Sequence, residues 1–177
     1  YGADKLGCEL HGRVAATVHG VATIGLRFFN VFGPRQDPSS PYSGVISIFA
    51  DRVLGGQELA IFGDGEQVRD FIYVGDVVCC LQAAMARVGM HSPAVYNVCT
   101  GRAISVRHLA ETISALSGAP PRLRFETPRV GDIRVSIGEG SMADRDLDFR
   151  STTLFEDGLR STLAALRPAE APRSFGT

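Results

Sequence analysis

Tyr1 and Lys5 open the chain four residues apart, in a stretch (Tyr1-Gly2-Ala3-Asp4-Lys5) that reads as the start of a helix. At that spacing both side chains leave one face of a helix, one turn apart. A free phenol has a pKa of about 10 and stays protonated at neutral pH. An ammonium within a few ångströms favours the phenolate and lowers that pKa by roughly 1–3 pH units. Tyr-x-x-x-Lys is thus one way to turn a phenol into a general base near pH 7. Any helix can carry such a pair on its surface, so the spacing gains weight only from the rest of the chain.

The elements that would position this pair alternate between helices and short apolar strands. Residues 2–19 carry Leu6, Leu10, Val14 and Val18 along one helical stripe, with Gly20 as a carboxyl-terminal cap. Residues 21–29 (VATIGLRFF) are apolar nearly throughout, as in a strand buried on both faces of a parallel sheet. Such strands end at ligand crevices in open α/β sheets. A helix is expected over Val45–Leu54, ended by Gly55-Gly56, then a short strand over Leu59–Phe62. Residues 68–74 read as a strand, and Asp76 as the amino-terminal cap of a helix from Val77 to Arg87. Residues 95–98 make a further buried strand. Ser105 caps a helix through Leu116 that Gly118 ends, Leu123–Phe125 forms a last short strand, and Thr153–Leu166 a final amphipathic helix.

Composition narrows the class. At 177 residues and 45% hydrophobic content the chain is long enough to bury one proper core. A net charge of −1 gives no electrostatic case for nucleic acid or an anionic membrane. No apolar run approaches the ~20 residues of a membrane span. Cys8, Cys79, Cys80 and Cys99 have neither zinc-ligand spacing nor a disulfide framework, so no metal site is expected and a reducing cytoplasm is the expected compartment. His11 and His19 have no carboxylate or Cys partner at metal spacing.

Four further stretches follow Tyr1 and Lys5 in order: residues 26–36 (LRFFNVFGPRQ), 62–78 (FGDGEQVRDFIYVGDVV), 96–101 (YNVCTG) and 128–132 (PRVGD). Together they resemble the extended short-chain dehydrogenase/reductases, in particular the NAD-dependent epimerase/dehydratase family. Within it the closest likeness is to the UDP-glucose 4-epimerases. The resemblance runs from Tyr1 to about residue 166. It implies an α/β fold: an incomplete doubly wound, Rossmann-like parallel sheet plus a small substrate-binding lobe. Residues 1–34 would be the last part of the Rossmann-like domain, 35–166 mostly the nucleotide-sugar lobe with 68–101 returning to the sheet, and 167–177 a disordered tail.

The resemblance also implies roles. Tyr1 and Lys5 would be the catalytic pair and would touch the cofactor, NAD, as would Phe28, which stands where many relatives carry a Tyr. Asn30 would contact the phosphate of a UDP-sugar; the alternative is that its amide merely caps a strand end. Gly44 and Val45 would offer backbone N–H groups at a helix amino terminus. Ala60 and Phe62 would line the uracil, with Phe62 as core filler the competing account. Arg69 and Arg129 would share the diphosphate, since guanidinium grips phosphate in bidentate fashion; an isolated Arg69-Asp70 would otherwise be a surface ion pair. A homodimer through the Tyr–Lys helix is implied too, although Leu6, Leu10 and Val14 equally suit plain core packing.

The implied chemistry is epimerisation through a 4-keto sugar. Bringing a phenol from about 10 to about 7 requires roughly 4 kcal/mol of differential stabilisation, more than one lysine supplies. No Gly-x-Gly-x-x-Gly opens a helix after a strand in this sequence. The expectation is therefore a carboxy-terminal portion only, with most of the NAD site absent, an exposed parallel sheet edge and no turnover alone. A dehydratase or decarboxylase of the same family and a non-catalytic UDP-sugar-binding remnant are the competing readings.

Overall fold

The computed structural model describes residues 2–40 and 44–166. Tyr1 and the tail segment 167–177 lie outside the described residues. The architecture is α/β, an open parallel sheet flanked by helices. Helix α1 (Gly2–His19) leads into β1 (Ile24–Phe28) and, after one residue, β2 (Asn30–Phe32). β1 pairs in parallel with β6 (Ala94–Val98), from Ile24 opposite Ala94 to Phe28 opposite Val98. β2 pairs in parallel with β5 (Phe71–Tyr73). The two pairs meet where successive N–H groups donate to different partners, Phe29 to Val98 O at 3.1 Å and Asn30 to Asp70 O at 3.0 Å.

A second set of elements builds the lobe beside this sheet. β3 (Leu59–Phe62) pairs in parallel with β8 (Leu123–Glu126). β4 (Val68–Arg69) lies between β7 (Ile104–Ser105), antiparallel, and β9 (Val135–Ser136), parallel. Helices α2 (Val45–Leu54) and α4 (Val106–Ser117) pack on β3, and α6 (Phe155–Leu166) on both helices and β5, around Phe32, Ile46, Phe49, Leu59, Ile61, Leu109, Ile113 and Leu159. The other core, around Ile72, Cys80, Tyr96, Val98 and Leu147, joins β5 and β6 to α3 (Val74–His91) and α5 (Ser141–Leu147).

Local chemistry explains several boundaries. Ser105 Oγ accepts the N–H of His108 at 3.1 Å and so opens α4. Gly118 closes it in the left-handed region (φ 72°), its N–H returning to the carbonyls of Ala115 and Ser114.

Three expectations change. The strand expected over 68–74 is broken at Asp70, because β4 and β5 belong to different pairings and Asp70 turns the chain between them. Helix α3 starts at Val74 with Tyr73 as its cap, so Asp76 is not the cap. Asp76 is instead buried, its carboxylate accepting Ser151 Oγ at 2.8 Å and Thr153 N at 3.2 Å. The stripe on α1 is not core packing: Leu6, Leu10, Val14 and Val18 are 48–69% exposed and the helix has no buried residue.

Candidate nucleotide-sugar site

The strand β3 alternates: Leu59 and Ile61 are fully buried in the core, while Ala60 and Phe62 turn to the other face. Beside Phe62 lies an open cleft of about 650 Å³, within the range of small-molecule sites, lined among others by Gln67, Phe125, Arg129, Asp132 and Arg134. The Arg129 guanidinium stacks on the Phe62 ring at 3.7 Å from its centroid, a cation–π contact. Of the residues expected at a substrate, Phe62 and Arg129 line this cleft together.

Arg69 reaches the cleft through the same Arg129–Asp132 segment. One terminal nitrogen of its guanidinium pairs with Asp132 Oδ1 at 2.5 Å, and the other donates to Ile133 O at 2.5 Å and Val68 O at 2.9 Å. The guanidinium thus already holds one carboxylate at the cleft, through a single charge-assisted hydrogen bond. Neither of the two competing accounts of Arg69 anticipates this, since its partner is Asp132, 63 residues away, and not Asp70. At the mouth, Arg134 pairs with Asp64 at 2.6 Å. That side-chain hydrogen bond, with the Glu66 N–H, holds the Asp64 carboxyl down at about 2, so it stays ionised at any physiological pH.

Asn30 is the first residue of β2, separated from the end of β1 by Phe29 alone. Its side-chain Nδ2 donates to Asp70 O at 2.9 Å, beside its own backbone N–H, which donates to the same oxygen. Gly44 is the cap of α2 and Val45 its first residue, and neither lines the cleft. Ala60 shares the outward face of β3 with Phe62 but is not in the cleft wall.

Lys5 lies on an exposed turn of α1, and two contacts fix its direction. Thr23 Oγ1 donates to Gly12 O at 2.9 Å, and Arg27 grips Glu9 through two 2.7 Å hydrogen bonds. Moving from Thr23, just before β1, to Arg27 within it therefore means moving back along α1 from Gly12 to Glu9, so the helix runs antiparallel to the strand. Lys5, one turn before Glu9, is thereby carried about 6 Å further toward the carboxyl end of β1. Phe28, the last residue of β1, is 47% exposed at that end. Tyr1, one turn before Lys5, is outside the described residues.

Sequence reasoning missed the anchoring carboxylates Asp70 and Asp76, and also Asp132 as the partner of Arg69. The available signal was a carboxylate inside an otherwise apolar run: a buried Asp in residues 68–74 must find donors or a cation, because leaving it unpaired is costly. No group of three or more His, Cys, Asp or Glu side chains among the described residues is placed to hold a metal ion.

Comparison with known proteins bears on the family and the fold. The family described as the NAD dependent epimerase/dehydratase family matches residues 1–99. A UDP-glucose 4-epimerase of Mycolicibacterium smegmatis is 32% identical over 94% of this chain and 52% of its own length. Among solved structures, the UDP-glucose 4-epimerase of Thermotoga maritima with UDP-glucose superposes with a TM-score of 0.88 at 37% identity, over 93% of this chain and 52% of that one. The UDP-glucose 4-epimerase of Thermus thermophilus in complex with NAD does so with a TM-score of 0.83 at 32% identity, over 93% and 53%. The chain spans about half the length of the relatives it matches.

Two expectations are corrected by these findings. The match starts at residue 1, and the relatives align over 93–94% of the chain, so the family likeness belongs to the chain throughout and not to a carboxy-terminal portion only. The same coverage by a structure that holds NAD overturns the expectation that most of an NAD site is absent. The physical reason is that a Gly-rich turn serves only the pyrophosphate of a dinucleotide. Its ribose and nicotinamide are met by other elements, so the lack of one motif does not measure the site. On the strength of the match to residues 1–99, the chain belongs to the NAD dependent epimerase/dehydratase family.

Proposed function

We propose that this chain carries the Tyr–Lys pair and the nucleotide-sugar cleft of an NAD-dependent epimerase acting on a UDP-sugar, of the UDP-glucose/UDP-galactose 4-epimerase type. The observation that carries the reading is the grouping at one cleft of an aromatic face, Phe62, with two guanidiniums, Arg129 and, through Asp132, Arg69. A base stacks on a ring, and a diphosphate needs paired cationic donors to leave water. Arg129, now on the ring face, and Asp132, now on Arg69, occupy positions that a base and a phosphate would take. Asn30 and the α2 amino terminus at Gly44 and Val45 are the further phosphate contacts we assign, and Ala60 a neighbour of the uracil.

The residues at the carboxyl end of β1 fit one end of NAD: an exposed aromatic ring, Phe28, and an ammonium, Lys5, on the amino-terminal part of the antiparallel helix α1. NAD, when bound, supplies hydride acceptance and return. Lys5 then lowers the pKa of Tyr1, and Tyr1 takes the proton of the sugar hydroxyl at its phenolate oxygen and later returns it. Inversion follows from presenting the other face of the 4-keto sugar, which stays anchored by its diphosphate. Residues 1–34 would serve the cofactor side and 35–166 mostly the nucleotide side. The exposed stripe Leu6, Leu10 and Val14 supports a homodimer through α1. Four free thiols support a reducing compartment such as the cytoplasm.

Incubation with UDP-galactose and NAD, followed by chromatography of the sugar nucleotides, tests the reading. UDP-glucose is the expected product, and Tyr1→Phe should lower its rate by about 10²–10⁴-fold, the usual share of a general base. A 4-keto-6-deoxy sugar nucleotide instead would identify a dehydratase. An unaltered rate in Tyr1→Phe would remove Tyr1 from the chemistry.

A further inference from the structure

Asp70 is fully buried (0% exposed), yet no arginine or lysine pairs with it among the described ion pairs. Its charge is met by hydrogen bonds alone. Oδ1 accepts Thr100 N–H at 2.9 Å and Thr100 Oγ–H at 2.7 Å; Oδ2 accepts Gly101 N–H at 2.8 Å and Gly138 N–H at 3.2 Å. Its backbone is equally committed. The carbonyl accepts both the N–H and the side-chain Nδ2 of Asn30, and its own N–H donates to Ser136 O at 2.9 Å.

One residue therefore ties together the start of β2, the break between β4 and β5, the turn after β6 and the segment after β9. Two of the residues assigned to the phosphates depend on it directly. Arg69 is its chain neighbour at the end of β4, and Asn30 is fastened to its carbonyl. The Asp132 that holds Arg69 lies on the segment whose far end, at Ser136 and Gly138, is pinned by the same residue.

We propose that Asp70 is a positioning residue for nucleotide binding, its buried carboxylate fixing the strand break from which Arg69 and Asn30 project. The inference rests on reading the cleft as the nucleotide site. Asp70 touches no ligand itself. Its four donors leave no tolerance for an amide: in either orientation of an asparagine, the NH2 group faces at least one backbone N–H. Thr100 Oγ can rotate to compensate, but the N–H groups of Thr100, Gly101 and Gly138 cannot, so the break must shift.

The test compares Asp70→Asn with Asp76→Asn, a second buried carboxylate, which accepts hydrogen bonds from Ser151 and Thr153 and not from Thr100, Gly101 or Gly138. UDP is titrated into each folded protein by calorimetry, alongside thermal melts. Both variants should lose thermal stability. Asp70→Asn should bind UDP at least about tenfold more weakly, whereas Asp76→Asn should stay within about twofold of wild type. Where Asp70→Asn does not fold, Thr100→Val, which removes the 2.7 Å donor, is compared with Ser151→Ala, and a several-fold loss in the first alone is expected. Unchanged UDP affinity in folded Asp70→Asn or in Thr100→Val overturns the proposal, as does an equal loss in the Asp76 or Ser151 control. Absence of UDP binding by the wild-type chain is a different result: it overturns the nucleotide reading itself, and the positioning role with it.

Discussion

Cys80 and Cys99 illustrate how burial decides the behaviour of single residues. Both are buried, and desolvation pushes each thiol up to about 11. Cys8 and Cys79 are exposed. Timed iodoacetamide labelling at pH 8, read by peptide mass spectrometry, should modify Cys8 and Cys79 at least about tenfold faster than Cys80 and Cys99. Equal labelling of Cys79 and Cys80 would contradict the packing of α3. Because the folded-state pKa is raised above its unfolded value, the folded protein holds these protons more tightly. Their contribution to stability is intact below about pH 9 and is lost as pH rises toward 11. Residue types were legible where chemistry is local, as with Ser105, which caps α4 through His108 three residues on. They were opaque where partners are distant: nothing near Asp70 announces donors at positions 100, 101 and 138, or that Arg69 pairs with Asp132.

At the scale of elements, close approach at Gly158 docks α6 onto the sheet. A Cβ there would lie 2.8 Å from Phe32 Cζ and 3.0 Å from Tyr73 Cδ2. Phe32 cannot swing aside, because it packs edge-on against both Tyr73 and Phe155 at 5.8 Å between ring centroids. Helix propensity favours Ala over Gly by about 1 kcal/mol, but overpacking a buried aromatic cluster costs about 1–3 kcal/mol. Gly158→Ala should therefore lower the urea midpoint, by the equivalent of about 1 kcal/mol; a raised midpoint would show that the helix sits further from the sheet. Helix limits were the most legible part of the fold. Ser105 and Gly118 bracket α4, and α2 spans the expected Val45–Leu54, since caps and glycine turns act within a few residues. The strand break at Asp70 and the start of α3 at Val74 were not legible, because pairing partners from β2, β7 and β9 set them.

For the whole molecule, the core around Leu59 and Ile61 backs the strand that presents Phe62 to the cleft, and α1 presents an apolar stripe along its length. No helix among the described residues is long and apolar enough to cross a membrane. The family was legible from five short stretches taken together and in order. The sheet order was not, since parallel pairing joins residues some 40–70 positions apart. Calorimetric titration of UDP into the chain tests whether the cleft beside Phe62 takes a uridine diphosphate. One site per chain is predicted, with Arg129→Ala binding about 10–100-fold more weakly, the loss expected for charge-assisted hydrogen bonds worth about 1.5–3 kcal/mol. A folded chain that takes up no UDP, or that binds it equally well as Arg129→Ala, would contradict the account.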